Sequence, residues 1–476
     1  MNIDVKTFIT NPCLIAADID KTFLNRGCVN ERQEFIRNVA PELLKVASSG
    51  TNIAVVTGNS IKELSTRFLK FLFKYLEDNS GIEVISRFHF FCNSGGIYFH
   101  IGEEELRSYK KGKLNRLVFD TANPFQIKSK YINKEYLAKT KINPADIGKI
   151  KEVLENEWGN YLNDLKRNLK TYQKEYFMKE GPKVEGDSYK YPLELALDGK
   201  DHVDIRYLDY EKGSQSTVQI TVKPVLSWKH AINPEKKYNN DIRSDVISSI
   251  HKRFDQTGLT NYIASPGGNT SIDVTKSKLD KSYAIRFLID HLGIEGNERK
   301  REKYGSNVIY LGDEVIAGGG NDFPLTKIDG VLVLAVNKIP RYVPFKSRVI
   351  IPNELTGPDA SALVLSEFNH IVQLELAKWT PKKLEKEFPR KNAIQLFKEK
   401  WFLTKIKEKI DKTLVEKMST EELQVLYTFI SLISRNDESA QKLTNILVNE
   451  LDEIMEALDE NEYERISGII SSQSIQ

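Results

Sequence analysis

Apolar and polar positions along this chain fall into four blocks of different period. Up to about residue 100, short apolar runs bounded by turn residues, at 13–17, 52–57 and 88–92, read as buried strands. Between them, apolar residues recur at helical spacing over 32–48 and 61–76. Strands alternating with helices predict a parallel sheet flanked by helices. From about 104 to 276 the pattern changes. Ile147, Ile150, Val153, Leu154, Trp158, Leu162 and Leu165 mark one face of a charged helix over 143–174. Two β-rich runs, 202–210 and 216–222, are joined by Glu211-Lys212-Gly213-Ser214-Gln215, which suits a hairpin. A helix over 240–254 follows, then two short strands around Pro266-Gly267-Gly268-Asn269. This block reads as an inserted α+β unit.

From about 277 to 378 the first pattern returns, with a helix over 280–292 and strands over 308–312, 331–336 and 348–351. Beyond 379 only helix is predicted. Ser419-Thr420-Glu421-Glu422 is a capping box ahead of Leu423, Leu426, Phe429, Ile430 and Ile433, and a second stripe uses Leu443, Ile446, Leu447, Leu451, Ile454 and Leu458. The expected division is therefore a core in two parts, 1–103 and 277–378, an insertion over 104–276, and a helical extension over 379–476. No internal repeat or low-complexity linker interrupts it.

Composition narrows the function classes. A formal charge of +3 on 476 residues provides no global field for nucleic acid or an anionic membrane. Lysine pairs such as Lys110-Lys111 and Lys236-Lys237 sit among acidic residues and read as solvated faces. No apolar stretch has the length of a membrane-spanning helix. Cys13, Cys28 and Cys92 have neither metal-ligand spacing nor a disulfide framework. The first residues lack a basic stretch followed by an apolar one, so a cytoplasmic compartment is expected. The seven histidines show no ligand spacing.

The chemistry concentrates at predicted strand ends. Leu14-Ile15-Ala16-Ala17 runs directly into Asp18-Ile19-Asp20. Two neighbouring carboxylates repel and are costly to desolvate, so a cation or a catalytic task is needed to justify them. The second strand ends in Thr57-Gly58-Asn59-Ser60, where a hydroxyl and free backbone N–H groups ahead of a helix form a seat for phosphate. Lys281, at the start of the helix over 280–292, opposes the helix dipole unless an anion or carboxylates sit beside it. The strand over 308–312 delivers Asp313, and Gly318-Gly319-Gly320-Asn321 then brings Asp322. Glycines there permit close approach of backbone to a ligand.

Asp18 and Asp20, then Thr57, then Lys281, then Asp313 and Asp322, in that order on those elements, resemble the haloacid dehalogenase-like phosphohydrolase superfamily. The insertion resembles that superfamily's larger α/β cap. Ser265-Pro266-Gly267-Gly268-Asn269-Thr270-Ser271-Ile272-Asp273-Val274, leading to Asp280-Lys281, is similar to the eukaryotic-type phosphomannomutase branch, as are Gln219-Ile220-Thr221-Val222-Lys223-Pro224 and the acidic loop at 312–322. The likeness covers most of 10–340, poorly around 110–190, and leaves the tail unmatched.

The resemblance implies a Rossmann-like parallel-sheet core, an inserted α+β cap and a helical C-terminal extension. It implies Asp18 as a nucleophile forming an aspartyl phosphate and Asp20 as general acid and base. Thr57, with Gly58 and Asn59, would hold the phosphoryl oxygens and Lys281 would neutralise them. Mg²⁺ would be held by the Asp18 carboxylate, the Asp20 backbone carbonyl, Asp313 and, directly or through water, Asp322. Ser271 and Asp273 match positions that contact sugar hydroxyls, and Lys223 would assist.

The chain departs from that branch where two phosphates must be held. The branch's arginine positions fall on Ser216, Ser227 and Gly27, and lysine at 223 or 229 is a point charge rather than a fork. Keeping the hydroxyl contacts while losing the clamp favours hydrolysis of a phosphomonoester, with a small-molecule sugar phosphate as the expected substrate. The alternatives are a phosphohexomutase and a regulatory protein acting through its tail, whose apolar stripes suit core packing, self-association or a protein partner.

Overall fold

The computed structural model describes residues 13–25, 30–107, 114–119, 127–167, 183–184, 188–189, 203–207, 217–222, 242–267, 271–294, 307–315, 321–328, 331–336, 355–379, 383 and 393–397. Arg26, Gly27, Cys28, Ser216, Lys223, Ser227, Lys229, the glycines at 318–320, the strand expected over 348–351 and the helices expected after 401 lie outside them. Ser271 is described in its backbone alone.

In chain order the strands are β1 (Leu14–Ala17), β2 (Asn52–Val56), β3 (Phe88–Cys92), β4 (Ile97–His100), β5 (Lys183–Val184), β6 (Ser188–Tyr189), β7 (Val203–Tyr207), β8 (Thr217–Val222), β9 (Tyr262–Gly267), β10 (Ser271–Lys276), β11 (Val308–Gly312) and β12 (Leu332–Ala335). Six of them form one sheet in the order β12-β11-β1-β2-β3-β4. It is an α/β fold of Rossmann-like type, with helices on both faces. The alternation is visible along each strand. Ile15, Ala17, Ile53, Val55, Ile309 and Leu311 point into one apolar layer, and Leu14, Ala16, Ala54, Val56, Val308 and Tyr310 into the other. A sheet buried on both faces needs continuous apolar strands, which is why these runs were legible.

The first layer is closed by the helical run from Glu31 to Ser48, by the run from Ile61 to Asp78 and by the helix Gly357–Leu376. The helix Lys281–His291 closes the second. Both of the first two helical runs contain a π-wound turn, Phe35–Val39 and Ser65–Leu69.

The sheet is mixed, not wholly parallel: β4 runs antiparallel to β3. The connection is the turn Asn93-Ser94-Gly95-Gly96, too short for a crossover, so the strand has to return along its neighbour. Asn93, Ser94 and Gly95 have φ of 51°, 54° and 91°. At Gly95 a Cβ would also lie 2.9 Å from the Asp280 carbonyl oxygen, so only glycine fits. Two ordinary residues at positive φ hide this turn from a sequence reading.

The second sheet, β7-β8-β10-β9, is antiparallel throughout. Helices Pro144–Arg167 and Ile242–Thr257 pack on it through Ile150, Leu154, Trp158, Val246, Ile250 and Phe254 against Ile220, Val222, Ile272 and Val274. Pro266, expected in a turn, lies within β9. That strand is at the sheet's edge, where a missing N–H breaks no ladder bond. Residues Leu114, Val118, Phe119, Ile127, Tyr131 and Ile132 pack with the six-stranded sheet's first layer.

The chain beyond residue 379 also contributes to that layer. Ala393, Ile394 and Phe397 are fully buried in it, and Phe397 packs on Phe368 with ring centroids 5.7 Å apart. Each large side chain so buried contributes about 1.5–3 kcal/mol. A chain ending after residue 378 should therefore melt well below one ending after residue 400. Equal melting midpoints for the two truncated forms would show that these contacts add nothing. No described helix is long and apolar enough to cross a membrane.

Candidate active site

In the six-stranded sheet the chain builds from β1 outward through β2 and β3, then returns to the other side of β1 with β11 and β12. The order reverses between β1 and β11. In open α/β sheets ligands bind in the crevice outside the strand C-termini at such a reversal. Asp18 follows β1 and Asp313 follows β11, and the Asp18 N–H donates to the Leu311 carbonyl at 3.1 Å. Thr57 follows β2. These three sequence-predicted strand-end groups are thus delivered to one edge by the topology.

The loop after β1 closes tightly. The Ile19 carbonyl accepts from the N–H groups of Thr22, Phe23 and Leu24, and Lys21 takes φ of 56°. Phe23 is buried and stacks on Phe68 at 6.3 Å, which pins the loop to the helical run after β2.

Lys281 lies in the first turn of its helix, with Asp280 as N-cap accepting from Ser282 N and Tyr283 N at 2.8 and 3.1 Å. Its ammonium is buried at 2% exposure and all three of its donors are used. Nζ donates to Asp18 Oδ2 at 2.6 Å, to Asp322 Oδ1 at 2.7 Å and to Asn321 Oδ1 at 3.1 Å. The charge that opposes its helix dipole is thereby balanced. Asp322 is held on its other sides by the Tyr310 hydroxyl at 2.6 Å and by Glu314 N at 3.0 Å. A Cβ at Gly312 would lie 2.5 Å from Asp322 Oδ2, so the strand must end in glycine for this carboxylate to pack against it.

Asp18, Asp313 and Asp322 are all buried, with one carboxylate oxygen of each within 4.8 Å of the others. One buried ammonium pairs with two of the three carboxylates, Asp18 and Asp322, while Lys21 reaches Asp313 only at 3.5 Å from a half-exposed position. Burial pushes Asp18 up to about 7, Lys281 draws it back down, and Asp322 and Asp20 add to the rise. Burial, with Glu314, Asp18 and Asp322 nearby, holds Asp313 well above the usual carboxylate range. For Lys281, burial works against the charge, but Asp18 and Asp322 outweigh it and raise the ammonium. A set of hard oxygen donors with surplus negative charge fits a divalent cation such as Mg²⁺.

A measurable pH dependence follows. Asp18 has a folded pKa raised above its ordinary 3.8, so its contribution to stability is present below that value and is lost as pH rises through about 7. A cation binds the deprotonated form and removes that loss. Mg²⁺ should raise the melting midpoint more at about pH 8 than at about pH 5.5, against a chelator control. Equal shifts at both pH values would contradict a cation held by these carboxylates.

Asp20 stands apart from this cluster. Its Oδ1 lies 2.7 Å from Arg67 Nη1, and its Oδ2 accepts from Asn59 Nδ2 at 3.0 Å. Thr57 is buried, and its Oγ1 accepts from Asn59 N at 3.1 Å. The β3–β4 turn joins here, since Ser94 N donates to the Thr57 carbonyl and Asn93 N to the Asn59 carbonyl. Gly58 lies between them, with Ser94 Oγ 3.7 Å from where its Cβ would be. Asp273 is on the second sheet, where its Oδ1 accepts from Thr221 Oγ1 at 2.8 Å and Gln219 Nε2 donates on to Thr221 Oγ1 at 3.1 Å. The second sheet abuts the turn through Val218, whose side chain would lie 2.8 Å from a Cβ at Gly96. The sequence reading missed Arg67, Tyr310 and the Asn93-Ser94 turn. The one available signal was an arginine among apolar positions soon after Thr57.

No family model matches the chain, and no curated protein matches it. Solved structures with a similar outline include three at low identity. An N-terminally truncated IMP-nucleotidase of Plasmodium falciparum is 14% identical with a TM-score of 0.39, the match covering 76% of this chain and 70% of that one. SMU.1108c of Streptococcus mutans is 13% identical with a TM-score of 0.38, covering 76% and 98%. The sucrose-phosphatase of Synechocystis, solved with sucrose and phosphate, is 12% identical with a TM-score of 0.34, covering 74% and 96%.

Proposed function

We propose that this chain is a Mg²⁺-dependent phosphatase of the haloacid dehalogenase-like type, hydrolysing a phosphomonoester through an aspartyl phosphate on Asp18. The observation that carries the reading is the bridge from the buried Lys281 ammonium to Asp18 and Asp322, beside Asp313, at the reversal point of the sheet. A structural salt bridge would not need a third buried carboxylate beside it.

In this reading an Asp18 oxygen attacks phosphorus and the P–O bond to the leaving group breaks. Asp20 gives its proton to the departing alkoxide. Water then attacks the phosphorus of the aspartyl phosphate, its proton passes to Asp20, and Asp18 and inorganic phosphate are released. Lys281 and the backbone N–H groups after Thr57 stabilise charge on the phosphoryl oxygens. The cation, held by Asp18, Asp313 and Asp322, would lower the cost of bringing an anionic substrate to an anionic site.

A sugar or other polyol phosphate is the proposed substrate class. Its support is the hydrogen-bonded row of Gln219, Thr221 and Asp273 on the second sheet, amide, hydroxyl and carboxylate groups of the kind that bind hydroxyls. The test is phosphate release from hexose, pentose and polyol monophosphates with Mg²⁺. Release from one group identifies the class. Silence on every monophosphate, with turnover of a hexose 1-phosphate only after a hexose bisphosphate is added, would replace the phosphatase by a mutase.

A further inference from the structure

The mechanism assigns a role to Asp20 but leaves its cationic partner Arg67 without one. Arg67 rises from the π-wound turn Ser65–Leu69. Such turns are uncommon and frequently occur at functional sites. The turn is locked by its next residue, Phe68, which is fully buried, stacked on Phe23 of the Asp20 loop and packed on Phe35 at 5.0 Å. From this base the guanidinium forks. Nη1 lies 2.7 Å from Asp20 Oδ1, and Nη2 lies 2.7 Å from Glu31 Oε1. Burial lowers the tendency of Arg67 to carry charge, but Asp20 and Glu31 more than restore it. All three side chains are partly shielded, at 22%, 18% and 15% exposure, so the pairs are less screened than surface ones.

The consequence for Asp20 is directional. Its Oδ1 is taken by the guanidinium, and its Oδ2 is turned to Asn59, two residues beyond Thr57. Oδ2 is thus the oxygen directed to the residues that follow β2, where the proposed phosphate seat lies. We infer that Arg67 is a positioning residue: anchored by Glu31, it holds Asp20 so that Oδ2 exchanges the proton with the leaving oxygen. The inference rests on the phosphatase reading. A lysine would supply the charge without the two-pronged geometry that ties Asp20 to Glu31.

A structural role and a positioning role predict different kinetics. An alkoxide leaves poorly without a proton, whereas p-nitrophenolate leaves well without one. The value of kcat/KM reports transition-state stabilisation relative to free enzyme and substrate. The experiment compares kcat/KM for the best sugar monophosphate with that for p-nitrophenyl phosphate, in the full chain, for Arg67→Ala, Arg67→Lys and Glu31→Gln. A positioned general acid contributes about 10²–10⁴-fold, so Arg67→Ala should lose at least about tenfold more on the sugar ester than on the aryl ester. Arg67→Lys should recover part of that ratio, and Glu31→Gln should shift it in the same direction by less.

Equal losses on both esters, or no loss on either, would overturn the inference, because a general weakening of the fold does not sense the leaving group. Glu31→Gln keeps Arg67 and guards against misfolding of the alanine variant. A native chain inert on all esters, or an Asp18→Asn variant that keeps releasing phosphate, would instead remove the phosphatase reading itself.

Discussion

Asp18→Asn should abolish phosphate release, with a loss on the order of 10⁴–10⁶-fold in kcat, the scale seen when a covalent nucleophile is removed. The amide keeps the size of the side chain and has no anionic oxygen to attack phosphorus. The fold should survive. Asp18 lies at a strand end whose backbone is fixed independently by β1, β2 and β11, and its Oδ1 contact to Ile19 N at 2.6 Å is available to an amide oxygen. The decisive pair of readings is phosphate release against the far-ultraviolet spectrum and melting midpoint of the same preparation. Release persisting above about a hundredth of the native rate would exclude Asp18 as nucleophile. The cation response should weaken as well, since one of three donors is lost.

Lys281→Met should produce the largest change in stability. Its ammonium is the only full positive charge buried against both Asp18 and Asp322 among the described residues. Removing one member of a buried ion pair typically costs about 3–5 kcal/mol, because the partner charge remains without compensation. Here two partners remain. Their escape is protonation, so the penalty depends on pH. With the lysine gone, Asp18 loses the partner that draws its pKa down and rises further above its unfolded value. Stability is then retained at low pH and lost as pH rises through the folded pKa. Denaturant unfolding at about pH 5 and about pH 8 should show a small deficit at the first and the full deficit at the second. A cation at saturating concentration should return part of it. A deficit independent of pH would mean that methionine is resisted for its shape and not for its missing charge.

The two substitutions probe the same few atoms in opposite ways. Asp18→Asn removes negative charge and should cost chemistry more than stability. Lys281→Met removes positive charge and should cost both.

Much of this site was readable from the chain, for reasons that differ by element. β1, β2, β3 and β11 are buried on both faces, so their sequences are nearly continuous apolar runs, interrupted only by His89 in β3 and opened by Asn52 in β2. Asp18, Asp313 and Thr57 were conspicuous because each ends such a run. Lys281 was conspicuous because it contradicts its helix dipole. Other parts left weaker marks. The helix Gly357–Leu376 carries a stripe at Ala360, Val364, Leu365, Phe368, Ile371 and Val372, a helical spacing that was open to detection but not picked out. β4 has only four residues and follows a turn with two non-glycine residues at positive φ, which no propensity signals.

Arg67 is the clearest case of what one dimension hides. By periodicity it is a polar position on an amphipathic helix. Its contact with Asp20 spans 47 positions, and with Glu31 36, as the sequence numbers give directly. Local pattern reports which face of an element is buried, because burial is set by the alternation of apolar side chains with period 2 or 3.6. That information was sufficient for the five strands of the six-stranded sheet other than β4, for several helices and for the identity of the strand-end acids. Which strand lies beside which, and therefore which acids share a cation, depends on the order β12-β11-β1-β2-β3-β4. That order is decided by packing two apolar layers at once. The charge balance around Lys281, the raised pKa of Asp18 and the direction of the Asp20 carboxyl all arise only after that packing, because each depends on distances between residues that are remote along the chain.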